Sequence, residues 1–154
     1  MTASASSLVT RPAVTRWRQD VAAERELLGL VLYHRERFAD LTVGPDHFHN
    51  ERRAVFRILA EHAGEGCAPD LMTIAPVLRE AGLLLTAIGF LEEWLAACTP
   101  FNELEARLRE RYVRCLVDTC GTALVQAARD EHADVGHLQE TVVHVGALLG
   151  RERA

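Results

Sequence analysis

The chain contains no lysine: all seventeen of its basic residues are arginine. That absence removes two classes of enzyme. A P-loop nucleotide site needs a lysine to reach the β- and γ-phosphates, and Schiff-base chemistry needs one as its nucleophile. A bias so complete reads as the codon usage of a GC-rich genome, so the arginines by themselves imply no function. Cysteine is also scarce. Cys67, Cys98, Cys115 and Cys120 are too scattered for a disulfide framework, and none forms a CxxC pair. No signal-peptide pattern opens the sequence, so the expectation is a cytoplasmic protein with reduced thiols. No apolar run approaches the ~20 residues of a membrane span. Stretches that alternate apolar and polar residues over strand length are missing as well. The formal net charge of −5 lacks the basic footprint of a dedicated nucleic-acid binder, so no strong DNA binding is expected of this chain alone.

What remains is a helical pattern. The 154 residues, 49% apolar and 25% charged, suit one globular domain that can bury roughly 70% of its unfolded surface. Residues 1–19 read as a flexible tail, because Met1 to Arg18 carries no acidic residue and no apolar periodicity. Asp20 can cap a first helix with Leu27, Leu28, Val31 and Leu32 on its buried face. A short helical turn with Phe38 and Leu41 follows, ended by Gly44-Pro45. Asn50 is the expected cap of a third helix with Val55, Ile58, Leu59 and His62 inward. For the fourth helix Pro76 selects Thr73 over Asp70 as cap, since that places the proline in the first turn. Ile74, Val77, Leu78 and Ala81 then face the core, and Gly82 ends the helix. A fifth helix from about Thr86 is expected to bury Ile88, Leu91, Trp94 and Leu95.

After Thr99-Pro100 the texture changes. Asn102 and Glu105 have capping-box spacing at the start of a long helix to about Arg129. Its first half is laced with i,i+4 pairs, Glu103/Arg107, Glu105/Arg109 and Glu110/Arg114. Its second half is apolar at Val113, Leu116, Val117, Cys120, Leu124 and Ala127. Asp134 can cap a last helix striped by Leu138, Val142, Val145 and Leu149. The fold expected is all-α: a compact head of about five helices over residues 20–99, then a long antiparallel helical hairpin over 100–150.

No catalytic constellation emerges. His47-Phe48-His49 offers two imidazoles, but zinc needs three or four converging ligands and no second HxH or Cys pair supplies them. Phe48 reads better as a core plug between two water-facing histidines. Cys115 and Cys120 lie five apart on one helix and point in different directions. A nucleophile elbow, an HExxH and a glycine-rich phosphate loop are all missing. Arg107, Arg111 and Arg114 form a basic stripe that glutamates interrupt. With Val142, Val145 and Leu149 they are the candidate partner or dimer interface.

Five phrases in order carry a specific resemblance: AERELLGLVL (23–32), FADL (38–41), PDHFHNERRAVFRIL (45–59), APDLMTIAPVLREAGLL (68–84) and IGFLEEWL (88–95). Together they resemble the N-terminal domain of bacterial DnaB-type replicative helicases over about Ala22 to Leu149. The sequence departs from that pattern where His49 stands for a tyrosine, Arg52 for a histidine, and Leu84-Leu85-Thr86-Ala87 for a Gly-Gly, which marks a divergent member. The resemblance implies a non-catalytic collar domain whose hairpins pair and whose partners are a primase, helicase or loader in DNA replication. Catalysis belongs in that family to a separate RecA-like domain. It implies no cofactor and no metal. Alternatives are a stand-alone phage or mobile-element regulator of the host helicase and a small metal-dependent hydrolase using His47 and His49. With no phosphate-cradling loop and no lysine, the purified chain is expected to show no ATP turnover in a coupled phosphate-release assay. Turnover abolished by a point change in this chain would refute that expectation.

Overall fold

Nine of the ten residues from Ala23 to Leu32, all but Arg25, are buried on the first helix. A helix that is covered all round must sit inside its domain rather than on the surface. This helix, α1 (Val21–Tyr33), is the centre of the head. The structure, a computed structural model, describes residues 20–64 and 66–151, so the expected tail at 1–19 lies outside the described residues. Among these residues there are six α-helices, two 3-10 turns and no strand. The all-α expectation holds. After α1 come 3-10 turns at Arg35–Asp40 and Pro45–His47, then α2 (Asn50–Glu61), α3 (Leu71–Glu80), α4 (Leu84–Ala97), α5 (Phe101–Arg129) and α6 (Val135–Arg151).

The caps show where local chemistry decides and where packing overrides it. Asp20 starts α1 as expected, its Oδ1 accepting from Ala23 N at 3.2 Å. Gly82 ends α3 in a Schellman motif: at φ +74° it donates to Arg79 O, while Leu83 donates back to Leu78 O. Asp134 starts α6, accepting from His137 N at 2.7 Å. Three expectations fail. The helix α3 starts after Asp70 instead of Thr73, with Ile74 N donating to Asp70 O. Leu71 packs against the core, so the helix must already have begun there. Pro76 then falls in the second turn and deprives the Met72 carbonyl of its donor, at a residue 81% exposed where water can replace it. Asn50 does not cap α2; it takes φ +52° one residue after the N-cap His49. Finally, α5 opens at Phe101, and Glu105 makes no capping box because its Oε1 accepts from Thr42 N at 2.7 Å.

Two buried faces are also rotated from expectation. On α2 the core side is Arg52, Val55, Phe56 and Leu59, while His62 is exposed and ends the helix. On α4 the buried residues are Ala87, Phe90 and Trp94; Ile88 and Leu91 are half-buried and Leu95 is exposed. The cause of the second rotation is a glycine. A Cβ on Gly29 of α1 would stand 2.1 Å from the Phe90 carbonyl oxygen. The two backbones therefore touch at Gly29 and Phe90, which turns Phe90 into the core. Phe48 plugs the same core, stacked on Phe56 at 4.9 Å between ring centroids.

Contacts divide the chain after Arg109, with Gln19–Arg109 as one unit and Glu110 opening another. The boundary read from the sequence, at residue 100, therefore moves along α5. Phe101, Leu104 and Leu108 belong to the head's core, and that core cluster runs from Ala23 to Leu108. The second unit holds the rest of α5 and α6, a helical hairpin. Its turn is made by two aspartates: Asp130 Oδ1 accepts from His132 N at 2.9 Å, and Asp134 caps α6.

The close crossing gives a direct test. Gly29→Ala should destabilise the head by about 1–3 kcal/mol or more, because backbone and not a movable side chain occupies the space. Gly146→Ala, with nothing within 4 Å of its added Cβ, should instead stabilise its helix by up to about 1 kcal/mol. Urea unfolding of the two variants checks the pair; equal effects would exclude the crossing.

Candidate interaction surface

The hairpin's outward residues are unusually apolar. On α6, Val135, Val142 and Val143 are 68%, 59% and 71% exposed. Val135 and Val142 lie seven apart, with Val143 beside the second, so all three fall on one side of a 3.6-residue helix. Leu138 and Gln139 line the same shallow surface groove. On α5, Val117 and Val125 are exposed with Gly121 midway between them, again on one side of the helix. Cys120 on α5 and Val145 on α6 are the buried positions of the hairpin. Each helix thus has one buried position and a bare apolar row.

This arrangement sorts the candidate residues. Val142 is on the bare side, Leu149 is half-buried, and Val145 is buried and therefore unavailable to a partner. The sequence stripe through 138, 142, 145 and 149 straddles the edge between the bare row and the buried position, which is why it mixes them. Val135 and Val143 are missed by that stripe. Their signal is nonetheless present, as valines seven and eight residues apart.

The arginines are engaged to different degrees. Arg107 does not pair with Glu103: it grips Asp20 with two parallel bonds, Nε at 3.1 Å and Nη2 at 3.0 Å. The hydrogen bonds to Asp20 hold its guanidinium above the ordinary value, against partial burial. Arg107 is therefore a tie of the head, joining the start of α1 to α5. Arg114 makes the expected pair with Glu110, at 2.9 Å. Arg111 is half-buried. Only Arg111 and Arg114 of the three belong to the hairpin unit.

The histidine motif resolves into structure. His47 Nδ1 accepts from Gly44 N at 3.1 Å, and His49 Nδ1 lies 3.2 Å from Glu24 Oε1. Both rings are half-buried and turned to different partners, so neither simply faces water. Among the described residues no group of three His, Cys, Asp or Glu could hold a metal ion. No single described helix is long and apolar enough to cross a membrane.

A family model for the DnaB-like helicase N-terminal domain matches residues 17–110. No curated protein and no solved structure matches the chain. The matched span ends where the contacts divide the chain, so the head carries the family pattern; the resemblance read to Leu149 extends further than the match, and the hairpin beyond residue 110 lies outside it. The match covers more than half of the sequence, and the chain belongs to the DnaB-like helicase N-terminal domain family, with a helicase-collar-like head.

Proposed function

We propose that this chain is a non-catalytic interaction domain that pairs with a second copy through its hairpin and docks a DNA-replication protein, a primase, a helicase subunit or a loader. The observation that supports self-association is the bare valine row of α6, Val135, Val142 and Val143, facing solvent on a two-helix arm. Apolar area left in water costs roughly 25 cal/mol per Å² relative to burial, so such a row favours a partner of like character. A second copy presents the same row, and two-fold pairing buries both at once. The family supports the choice of replication partners. Arg111 and Arg114, close to the head on α5, are the charged rim of the docking face, since interfaces place arginine around an apolar centre. The compartment proposed is the cytoplasm.

Light scattering at tens of micromolar is expected to give a dimer for the wild type. Val142→Glu combined with Val143→Glu should give a monomer with an unchanged helical circular dichroism spectrum, because both side chains already stand in solvent. Val145→Glu is the contrasting variant: it puts a charge at a buried position and should lower the melting temperature. A wild type that stays monomeric rejects self-association. Capture of a primase or helicase should weaken on Arg111→Glu and Arg114→Glu. Reversal of Arg107 is unsuitable for this, since it breaks the clasp on Asp20.

A further inference from the structure

Of the three buried carboxylates of the head, Glu24, Glu26 and Glu105, the most completely covered serves neither the family match nor the docking face. Glu24, on α1, is fully covered. All its polar contacts reach one oxygen. His49 donates its backbone N–H to Oε1 at 2.6 Å, His49 Nδ1 lies 3.2 Å from the same atom, and Arg52 Nε lies 3.3 Å away. The other oxygen, Oε2, has no hydrogen-bond partner among the described residues. The two oxygens therefore stand in opposite conditions, one crowded with donors and one desolvated and bare.

The crowded oxygen has a structural task. The opening turn of a helix leaves N–H groups without intrahelical acceptors. At α2 the side chain of the N-cap His49 makes no capping bond, and Asn50 is held at φ +52°. The acceptor comes from another helix instead: Glu24 Oε1 takes the His49 N–H and so fixes α1 to the entrance of α2. That clasp does not require the carboxylate to be ionised. A proton on Oε2 leaves Oε1 free to accept, and it relieves the cost of holding a desolvated carboxylate oxygen that no donor reaches.

We infer that Glu24 is a proton-binding latch: the head takes up one proton at Oε2 on folding in mild acid, and the α1–α2 clasp is firmer with that proton than without it. The charges facing Glu24 come from α2, Arg52 and His49, and both favour the ionised form; Arg52 is shared with Glu51, 3.1 Å from its Nη1. From α4, the other helix packed on α1, the nearby carboxylate of Glu93 is committed to Arg25 at 2.6 Å. The 3-10 turn Arg35–Asp40 contributes no charge to Glu24. Burial outweighs the Arg52 guanidinium and the His49 hydrogen bonds, and raises the Glu24 carboxyl above its ordinary value.

The sign follows from linkage. A carboxyl raised in the folded state binds more protons folded than unfolded in the interval between its two values, so stability falls as pH rises through that interval. The folded-to-unfolded ratio loses up to about tenfold per pH unit there, and the contribution is level below the unfolded value and above the folded one. Urea unfolding of the whole chain from pH 4 to 8 is compared for the wild type and Glu24→Gln, whose amide mimics the neutral acid. The stability difference, variant minus wild type, should climb with pH across the interval and then level off. A flat difference, or one that falls with pH, overturns the latch. Carbon-detected NMR titration of the wild-type glutamate carboxyls gives an answer that does not depend on the variant folding. The Glu24 midpoint should exceed those of the exposed glutamates, with the His49 amide proton shifting at the same midpoint. A Glu24 midpoint at or below theirs, or a His49 amide that does not follow it, overturns the proposal equally.

Discussion

The head is organised by a single close approach, the backbone of Gly29 on α1 against Phe90 on α4, where even a methyl group would stand 2.1 Å from a carbonyl oxygen. Contact at that distance lets α4 deliver Phe90 and Trp94 to a helix already covered on its other sides. Neighbouring groups hold the crossing in register. Arg25 grips Glu93 with Nε at 2.7 Å and Nη2 at 2.6 Å, and its guanidinium lies 4.9 Å from the centre of the Phe90 ring. The chain's later path depends on the same contact. Trp94 Nε1 donates to Thr99 O, and Thr99 Oγ1 donates to the buried Glu26. The loop is tied down while Cys98 takes the left-handed conformation at φ +51°. From there α5 brings Leu104 and Leu108 into the core.

Most of the head was legible because its helices repeat their apolar residues at the helical period, and because Asp20 and Gly82 mark ends by local chemistry. What escaped was the long-range part. The face of α4 was misassigned because a glycine on another helix sets it, and no local spacing encodes which helix a glycine will meet. The start of α3 was misplaced because Leu71 is needed by the core, a tertiary demand that outweighs the strain of Pro76. Glu105 matched a capping box in sequence and was instead captured by Thr42, sixty-three residues earlier. The buried pair Glu24 and Arg52 did leave a trace. Glu24 precedes Leu27, Leu28 and Val31 by three, four and seven residues, and Arg52 precedes Val55, Phe56 and Leu59 by the same intervals. A charge that continues an apolar face in register signals a buried partner, and here two such faces, of opposite sign, meet each other.

The two units differ in how completely they satisfy themselves. In the head, every residue of the core cluster lies between Ala23 and Leu108, and Glu24 and Glu26 each have one oxygen bonded from a distant segment. Along the hairpin each helix has one buried position and a bare apolar row. On α6 the sequence stripe crosses that border, which is why Val142 and Val145, three residues apart, have opposite surroundings. Periodicity identifies an amphipathic helix, but the width of the covered strip depends on how large the partner element is.

The absence of lysine acquires structural meaning beside these contacts. The fold's long-range ties at Arg25–Glu93 and Arg107–Asp20 are both forked, two nitrogens on two oxygens, which an ammonium group cannot reproduce. Arginine is therefore working inside the head as a cross-brace. Cations committed in this way contribute little to an outward electrostatic footprint, and the net charge of −5 leaves no surplus to attract a polyanion. The proposed recognition accordingly rests on shape and apolar area more than on charge. Those resources are concentrated on the one element that the head's core does not include, the bare valine row of the hairpin.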